Sequence, residues 1–186
     1  MSVHPPGNSF GPSPEYPDAK AVLRAIQERR SIRKFTEDPV SEEAVTAILE
    51  AGRWAPSGLN NQPFRFLVIR KGDARVHTLS TLTKYSHIVL AAPVLIGLFL
   101  DRTATYHPFK DHQAAGACLQ NMMLAAHALG LGTVWLGQMM NNAPQVLAAL
   151  NLSESDYEFI TFLATGHPAQ PGVADRNPLE AYMLEK

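Results

Sequence analysis

The sequence predicts a single domain that mixes α-helices with β-strands. Its 186 residues lie within the usual size of one domain, and no internal repeat or linker divides them. Helical and strand patterns alternate along the chain, which by itself favours a doubly wound parallel sheet. The glycine signature of a nucleotide-binding parallel sheet is absent, because Gly130 and Gly132 follow a predicted helix, precede a strand and lack a third glycine. This weakens the case for the parallel arrangement.

The first 17 residues are predicted to form an extended arm. They contain five prolines together with glycine and serine, a composition that neither forms a helix nor buries a core. They also lack the charged-then-apolar order of a signal peptide. We therefore expect the folded domain over residues 18–186.

The first half of the domain alternates helices, loops and strands. Ser41 is placed to cap the second helix, and two prolines and a glycine exclude residues 55–63 from helices and central strands. The elements predicted up to residue 110 are, in chain order, an amphipathic helix over Asp18–Arg29, a helix capped by Ser41 and running to about Arg53, a loop over Ala55–Pro63, a strand over Phe64–Arg70, a weaker helix over Asp73–Lys84, a buried strand over Pro93–Leu100 and a polar loop over Arg102–Lys110.

The longest predicted helix follows that loop. It is apolar around most of its circumference, which is typical of a central helix, and Gly130 and Gly132 end it. The elements predicted after residue 110 are a helix over Asp111–Leu129, a short strand over Thr133–Leu136, a helix from Asn142 or Ala143 through Ala149, a strand over Tyr157–Thr165 and an irregular tail over Gly166–Lys186.

Composition and charge exclude several classes of function. The formal net charge is −1, so no overall basic field attracts nucleic acid or anionic lipid. The most apolar run, Ala91–Leu100, is much shorter than the roughly 20 residues of a membrane-spanning helix. The single cysteine, Cys118, allows no internal disulfide, which is typical of a reducing compartment, and we expect a cytoplasmic protein. His107 and His112 lack a third ligand at supportive spacing, so no metal site is predicted.

A basic segment marks the end of the first predicted helix. Arg29, Arg30 and Arg33 surround Ser31, so that three guanidinium groups and a hydroxyl fall within five residues. Such a group can bind a phosphate through charge-assisted hydrogen bonds. Taken alone, the segment is more typical of a solvated basic turn.

Three further segments carry polar or glycine residues suited to a ligand. Pro56, Ser57, Asn60 and Gln62 lie on a stiff loop, where they either hold a polar ligand or satisfy their own turn. Gly137 follows a predicted strand and allows a flat ligand to approach the main chain closely. The tail contains Arg176 in the run Arg176-Asn177-Pro178-Leu179-Glu180, where a single arginine is usually only a surface charge.

Taken in order, these four segments resemble the nitroreductase family, and the resemblance spans about residues 19–180. The matching motifs are Glu28-Arg29-Arg30-Ser31-Ile32-Arg33-Lys34-Phe35, Ala55-Pro56-Ser57-Gly58-Leu59-Asn60-Asn61-Gln62-Pro63-Phe64, Asn121-Met122-Met123-Leu124-Ala125-Ala126 followed by Gly130-Leu131-Gly132-Thr133-Val134-Trp135, and Arg176-Asn177-Pro178-Leu179-Glu180. The resemblance implies an α+β fold with a mixed, largely antiparallel sheet flanked by helices. It also implies an intertwined homodimer with FMN at the subunit interface.

The resemblance assigns cofactor-binding roles to residues in all four segments and implies no acid–base side chain, because the flavin N5 carries the chemistry. The implied FMN-binding residues are Arg29, Arg30 and Arg33 at the phosphate and ring edge, Ser31 at the phosphate or ribityl chain, Arg176 at the phosphate, Pro56, Ser57 and Asn60 from the partner subunit along one side of the ring, Gln62, and Leu136, Gly137 and Gln138, of which the last two offer main-chain N–H groups near N5 and O4.

The implied activity is a ping-pong transfer of hydride from NADH or NADPH, through the flavin, to a flat electron-poor acceptor. A nitroaromatic, a quinone or another flavin is such an acceptor. Tyr106, His107 and Phe109 are our candidates for the acceptor pocket, although aromatic loop residues often only cover the edge of a core. Two alternatives stay open: an FMN-binding carrier or sensor without turnover, and a specialised relative such as a flavin-destroying enzyme or a dehalogenase.

Overall fold

The computed structural model describes residues 19–185, so the predicted N-terminal arm lies outside the described residues. The elements are α1 (Ala19–Glu28), α2 (Glu42–Arg53), a 3₁₀ turn (Gly58–Asn60), β1 (Phe64–Arg70), α3 (Arg75–Thr81), α4 (Ser86–Ala91), β2 (Val94–Asp101), α5 (Pro108–Ala128), β3 (Gly132–Trp135), a 3₁₀ segment (Gly137–Asn142), α6 (Ala143–Ala149), β4 (Tyr157–Gly166) and a 3₁₀ turn (Leu179–Tyr182).

The four strands form one sheet in the order β1-β2-β4-β3, and every neighbouring pair is antiparallel. The β1–β2 register pairs Phe64 with Leu100. A bulge interrupts the β2–β4 register between Leu98 and Phe99. Outside the strands, an isolated bridge joins Ser31 to Thr133 in the parallel sense. The α+β class with a largely antiparallel sheet is confirmed, and the doubly wound parallel arrangement that alternation favoured is wrong.

Two hydrophobic clusters cover the two faces of this sheet. On one face, α2 and α5 pack together, and α5 buries a row of small and sulfur-containing residues that includes Cys118 and Met122. On the other face, α3, α4 and α6 pack with the aromatic side chains of Phe99, Phe159 and Phe162. Strand β2 lies between the two clusters and buries seven of its eight residues. Among residues 19–185, no helix combines the length and apolarity needed to cross a membrane.

The structure departs from the prediction in three places described next. The predicted helix over residues 73–84 is shorter, ending at Thr81, and a turn separates it from the unpredicted helix α4. The predicted loop over 102–110 ends earlier, because Pro108 takes the first position of α5, where its missing N–H costs no hydrogen bond. Residues 137–142, for which no element was predicted, form a 3₁₀ segment.

The basic segment is held between β3 and the C-terminal tail. The N–H of Ile32 donates to the carbonyl of Thr133 at 2.9 Å, and the N–H of Thr36 donates to the carbonyl of His167 at 2.9 Å. Ile32 is buried against Gly132, where a Cβ would lie 2.7 Å from the Ile32 side chain. This glycine therefore allows the basic segment to approach the end of the sheet closely.

Candidate functional site

Arg29 is the centre of a cluster of unneutralised cations. Its Nε is buried and has no hydrogen-bond partner in the described part of the chain. Burial, together with the positive charges of Arg176 and Arg30, lowers the pKa of Arg29. A buried donor without a partner and like charges close together both raise the free energy of the protein alone. An anion bound between these side chains would remove both penalties.

The other residues of the cluster differ in how far their polar groups are hydrogen-bonded within the protein. Arg30 Nη1 donates to the carbonyls of Gln27 at 2.6 Å and Arg29 at 2.9 Å, so its guanidinium caps the end of α1. Arg176 is exposed and donates to the carbonyl of Asp175 at 2.8 Å. Ser31 is half-buried and Arg33 is exposed. The structure therefore brings Arg176, near the end of the domain, close to Arg29 and Arg30, near its beginning.

The loop over residues 56–62, called here the PS loop, is strained and internally bonded. Leu59, Asn60 and Gln62 have positive φ values of 54°, 55° and 48°, a conformation that costs a non-glycine residue of order 1 kcal/mol or more. The hydroxyl of Ser57 accepts the N–H of Gln62 at 3.0 Å, and Gln62 Nε2 donates to the carbonyl of Asn60 at 3.1 Å. Polar groups of Ser57 and Gln62 thus stabilise the loop itself, while Pro56 and Asn60 are exposed.

A buried carboxylate next to this loop was not predicted from the sequence. Asp111 is fully buried and accepts hydrogen bonds from Asn61 Nδ2, from the N–H of Tyr106 and from the N–H of His107. A carboxylate four residues after a helix N-cap can bond back to that cap. Recognition of Pro108 as the first residue of α5 would have pointed to Asp111, whereas nothing in the sequence points to its bond with Asn61.

The segment after β3 presents main-chain donors. The 3₁₀ segment begins with Gly137 and Gln138. Its first hydrogen bond is donated by the N–H of Met139 to the carbonyl of Leu136 at 3.0 Å, so the N–H groups of Gly137 and Gln138 take no part in the hydrogen bonds of the segment. The Leu136 N–H is already donated to the carbonyl of Phe162. In this segment, the main-chain N–H groups available to a ligand are therefore those of Gly137 and Gln138.

The side chain of Gln138 is directed to another part of the protein. Its Oε1 accepts the hydroxyl of Thr83 at 2.6 Å and the N–H of Lys84 at 3.1 Å. Asn142, at the end of the same 3₁₀ segment, donates to the carbonyl of Leu82 at 2.9 Å. These bonds fasten the segment to the turn between α3 and α4.

A cavity of about 330 Å³ lies between the PS loop and the N-terminal half of α5. Its lining residues are Pro56, Ser57, Gly58, Lys110, Gln113, Ala114 and Ala117. Tyr106 borders Gly58 so closely that a Cβ there would lie 2.2 Å from its hydroxyl, and Lys110 Nζ lies 5.4 Å from the centre of its ring. His107 and Phe109 are exposed and do not line the cavity. Lys110 and Gln113, which do, were missed by the sequence prediction.

Nucleophilic and metal chemistry have little support in the described residues. Burial raises the pKa of the Cys118 thiol to about 12, so it stays protonated near neutral pH. Residues 19–185 contain no group of three or more His, Cys, Asp or Glu side chains that could hold a metal ion. His112 instead lies 2.7 Å from a carboxylate oxygen of Glu158.

Comparison with known proteins places this arrangement in context. The sequence pattern of the Nitroreductase family matches residues 26–167. A Methanothermobacter thermautotrophicus protein named NADH dehydrogenase/NAD(P)H nitroreductase is 33% identical, over 89% of this chain and 87% of its own length. The NADPH-flavin oxidoreductase of Vibrio harveyi is 30% identical, over 88% of this chain and 73% of its own. A Desulfovibrio desulfuricans crystal structure, described as a nitroreductase in complex with FMN, is 56% identical with a TM-score of 0.88, covering 93% of this chain and 98% of that chain.

Proposed function

The chain belongs to the nitroreductase family, and we propose that it is a homodimeric, NAD(P)H-dependent FMN oxidoreductase that reduces a flat, electron-poor acceptor. One observation supports this most strongly: Arg29, with a buried Nε that has no partner within residues 19–185, lies beside two further arginines. A phosphate dianion is the ligand that such a group favours. The names of the V. harveyi and D. desulfuricans relatives indicate FMN as its source.

The residues present fit the phosphate end of FMN. Arg29 and Arg176 supply charge, Ser31 supplies a hydroxyl, and Arg33 extends from the same segment towards solvent. Each charge-assisted hydrogen bond contributes about 1.5–3 kcal/mol. Arg30 adds positive charge while its guanidinium caps α1. The phosphate would thus neutralise a repulsion that the protein alone cannot relieve.

FMN held by these residues would supply the redox chemistry, a ping-pong transfer of hydride from NADH or NADPH to the acceptor. This chain's own residues bind and orient. The N–H groups of Gly137 and Gln138 are available to the edge of the flavin ring, and the bonds of Gln138 to Thr83 and Lys84 hold them in place. No side-chain acid or base is assigned to the reaction.

Exposed apolar surface supports the homodimer. Helix α1 is amphipathic yet buries none of its residues within the single chain; Val22 and Ile26 are 57% and 43% exposed. The tail adds further large apolar side chains that are mostly exposed: Val173, Leu179, Tyr182, Met183 and Leu184. Large exposed apolar side chains concentrated on two segments favour a site of association. We assign it to a second copy, whose PS loop would complete the flavin site.

The proposal is tested first by the visible spectrum of the purified protein, followed by addition of NADH or NADPH without oxygen. We expect a yellow protein that bleaches with one of these donors and recovers its colour with a quinone or a nitroaromatic. A yellow protein that neither donor bleaches would instead be an FMN-binding module without turnover. A colourless protein that does not take up added FMN would overturn the proposal.

A further inference from the structure

Asp111 connects the PS loop, which borders the cavity, to the segment immediately before α5. Its carboxylate is fully buried at the start of α5. Oδ2 accepts the N–H of Tyr106 at 3.0 Å and that of His107 at 2.8 Å, while Oδ1 accepts Asn61 Nδ2 at 2.8 Å. One carboxylate therefore holds the aromatic segment before α5 and, through Asn61, the PS loop.

Asn61 is bound to that aromatic segment by two acceptors. Besides Asp111, its Nδ2 donates to the carbonyl of Ala104 at 2.8 Å. Its Oδ1 is buried without a partner among the described residues. Turning the amide over would place this oxygen against two other oxygens, so its orientation is set by Asp111 and Ala104 even though one acceptor is left unsatisfied. An unsatisfied buried acceptor is costly, which indicates that the two bonds dominate.

The position of Asn61 explains why this link matters to the loop. It lies between Asn60 and Gln62, both of which have positive φ. Such conformations persist only where surrounding interactions determine them. The bond from Gln62 N–H to Ser57 lies within the PS loop, whereas the amide of Asn61 ties the loop to the start of α5.

We propose that Asp111 is a positioning residue that fixes the PS loop, through Asn61, in the conformation that faces the flavin and the acceptor. The proposal rests on the function proposed above. Asp111 itself contacts neither the flavin nor the acceptor. Its role is to set the geometry of Pro56 and Ser57, which line the cavity, and of the Tyr106 ring beside them. One side chain thereby holds the PS loop and the segment before α5 in a fixed relation to each other.

The test compares Asp111→Asn with Asp101→Asn in the flavin-loaded dimer. Asp101 serves as the control, because its carboxylate also accepts bonds from a nearby N–H and hydroxyl, both of Thr103, and pairs with Arg65. Its link to the PS loop is indirect: Arg65 donates to the carbonyl of Gln62 at 3.4 Å, a bond that Asp101→Asn leaves in place. We expect Asp111→Asn to raise the acceptor KM and the FMN dissociation constant about tenfold, with kcat at saturating acceptor changed less than about threefold. Asp101→Asn should leave all three nearly unchanged.

A double-mutant cycle with Asn61→Ala separates positioning from a merely structural role. If Asp111 acts through Asn61, Asp111→Asn in the Asn61→Ala background should cause little further rise in KM, whereas Asp101→Asn should combine additively. Asn61→Ala leaves the bonds of Asp111 to the start of α5 intact, so it keeps the test available if Asp111→Asn fails to fold. Additive effects, or lower thermal stability with unchanged KM and FMN affinity, would overturn the proposal.

Hydrogen exchange provides a readout that does not depend on the reaction. In protein stripped of flavin, amides of residues 57–62 should exchange at least about tenfold faster in Asp111→Asn or Asn61→Ala than in the wild type or in Asp101→Asn. Unchanged exchange in both variants would refute the link itself. Faster exchange in a protein that shows no reductase activity would instead uphold the link and refute the proposed function.

Discussion

The arginine cluster and the PS loop are the two parts of the proposed flavin site that differ most in how their polar groups are satisfied. In the cluster, the buried Nε of Arg29 lacks a partner within the described chain, and burial, together with the neighbouring cations, lowers the pKa of Arg29. In the loop, Ser57 and Gln62 bond to each other and Asn61 is bonded to Asp111. The first region is incomplete without a ligand, whereas the second is largely organised before any ligand arrives.

This difference determines where binding energy and geometry come from. A phosphate bound among the arginines gains charge-assisted bonds and removes repulsion, so this region should supply much of the affinity for FMN. The PS loop already bears the cost of three left-handed residues, so it can hold the ring and acceptor without further ordering. Substitutions in the first region should mainly change cofactor affinity, and those that loosen the second should change acceptor binding and stability together with a smaller change in cofactor affinity.

The largest effect is expected from Arg29→Met. Loss of one charge-assisted bond should raise the dissociation constant of FMN about ten- to a hundredfold, which isothermal titration calorimetry can measure. Arg24→Met is the matched control, because Arg24 lies on α1, the helix that ends just before Arg29, is exposed and already pairs with Glu28. Riboflavin, which lacks the phosphate, should bind the Arg29→Met variant about as well as the wild type. An equal loss for riboflavin would show that Arg29 does not act through the phosphate.

A smaller effect, on stability, is expected from Gly58→Ala in the PS loop. The new Cβ would lie 2.2 Å from the hydroxyl of Tyr106 and 2.6 Å from its ring. Tyr106 is 42% exposed and can rotate away, so we expect a loss of about 1 kcal/mol in chemical denaturation, the low end for overpacking. The cost should disappear in a Tyr106→Ala background, where the clashing ring is absent. A cost that persists there would place the strain in the main chain of the loop.

The segment that begins at Gly137 combines features of both regions, because its main-chain donors are available while the side chain of Gln138 is engaged. Thr83→Val removes the hydroxyl that donates to Gln138 Oε1 and accepts the N–H of Tyr85, but leaves the bond from Lys84 N–H to Gln138. We expect a loss of about 1 kcal/mol in thermal unfolding and at most a few-fold weaker FMN binding. Thr81→Val is the control, since Thr81 bonds only to the carbonyl of Thr78 within α3. Equal losses for the two variants would argue against a special role for Thr83.

Hydrophobic periodicity predicted the strands well, because the burial of a strand is visible in the pattern of apolar residues within the strand itself. The bounds of β1 match those predicted, and those of β2 differ by one residue at each end. Helix α4 was missed because the apolar residues from Ile88 run without a polar break into the next strand, and the turn before it depends on the bond between Thr83 and Gln138, 55 residues away in the sequence.

The candidate site shows the same limit. The arginines of the basic segment could be found because the cations are adjacent in the sequence, and the resemblance added Arg176. The link between Asn61 and Asp111 spans 50 residues, so no local pattern reveals it. Lys110 and Gln113 were missed as cavity residues because the start of α5 was placed three residues too late, at Asp111 instead of Pro108.

The smallest expected effect is a pH dependence of the unfolding free energy that comes from the carboxylate of Asp111. Burial raises the pKa of Asp111, but hydrogen bonds from Asn61 and the N–H groups of His107 and Tyr106, with the charge of His107, outweigh it and leave this pKa below its usual value. A carboxyl group whose pKa is lowered by folding stabilises the protein above its unfolded pKa of about 3.9, and this contribution is lost as the pH falls through the folded pKa. The difference in unfolding free energy between wild type and Asp111→Asn should therefore stay constant above about pH 5 and narrow below about pH 4. Because the other carboxylates are common to both proteins, a difference that instead widens in acid would mean that the pKa of Asp111 is raised by burial and that its three donors are weaker than the structure indicates.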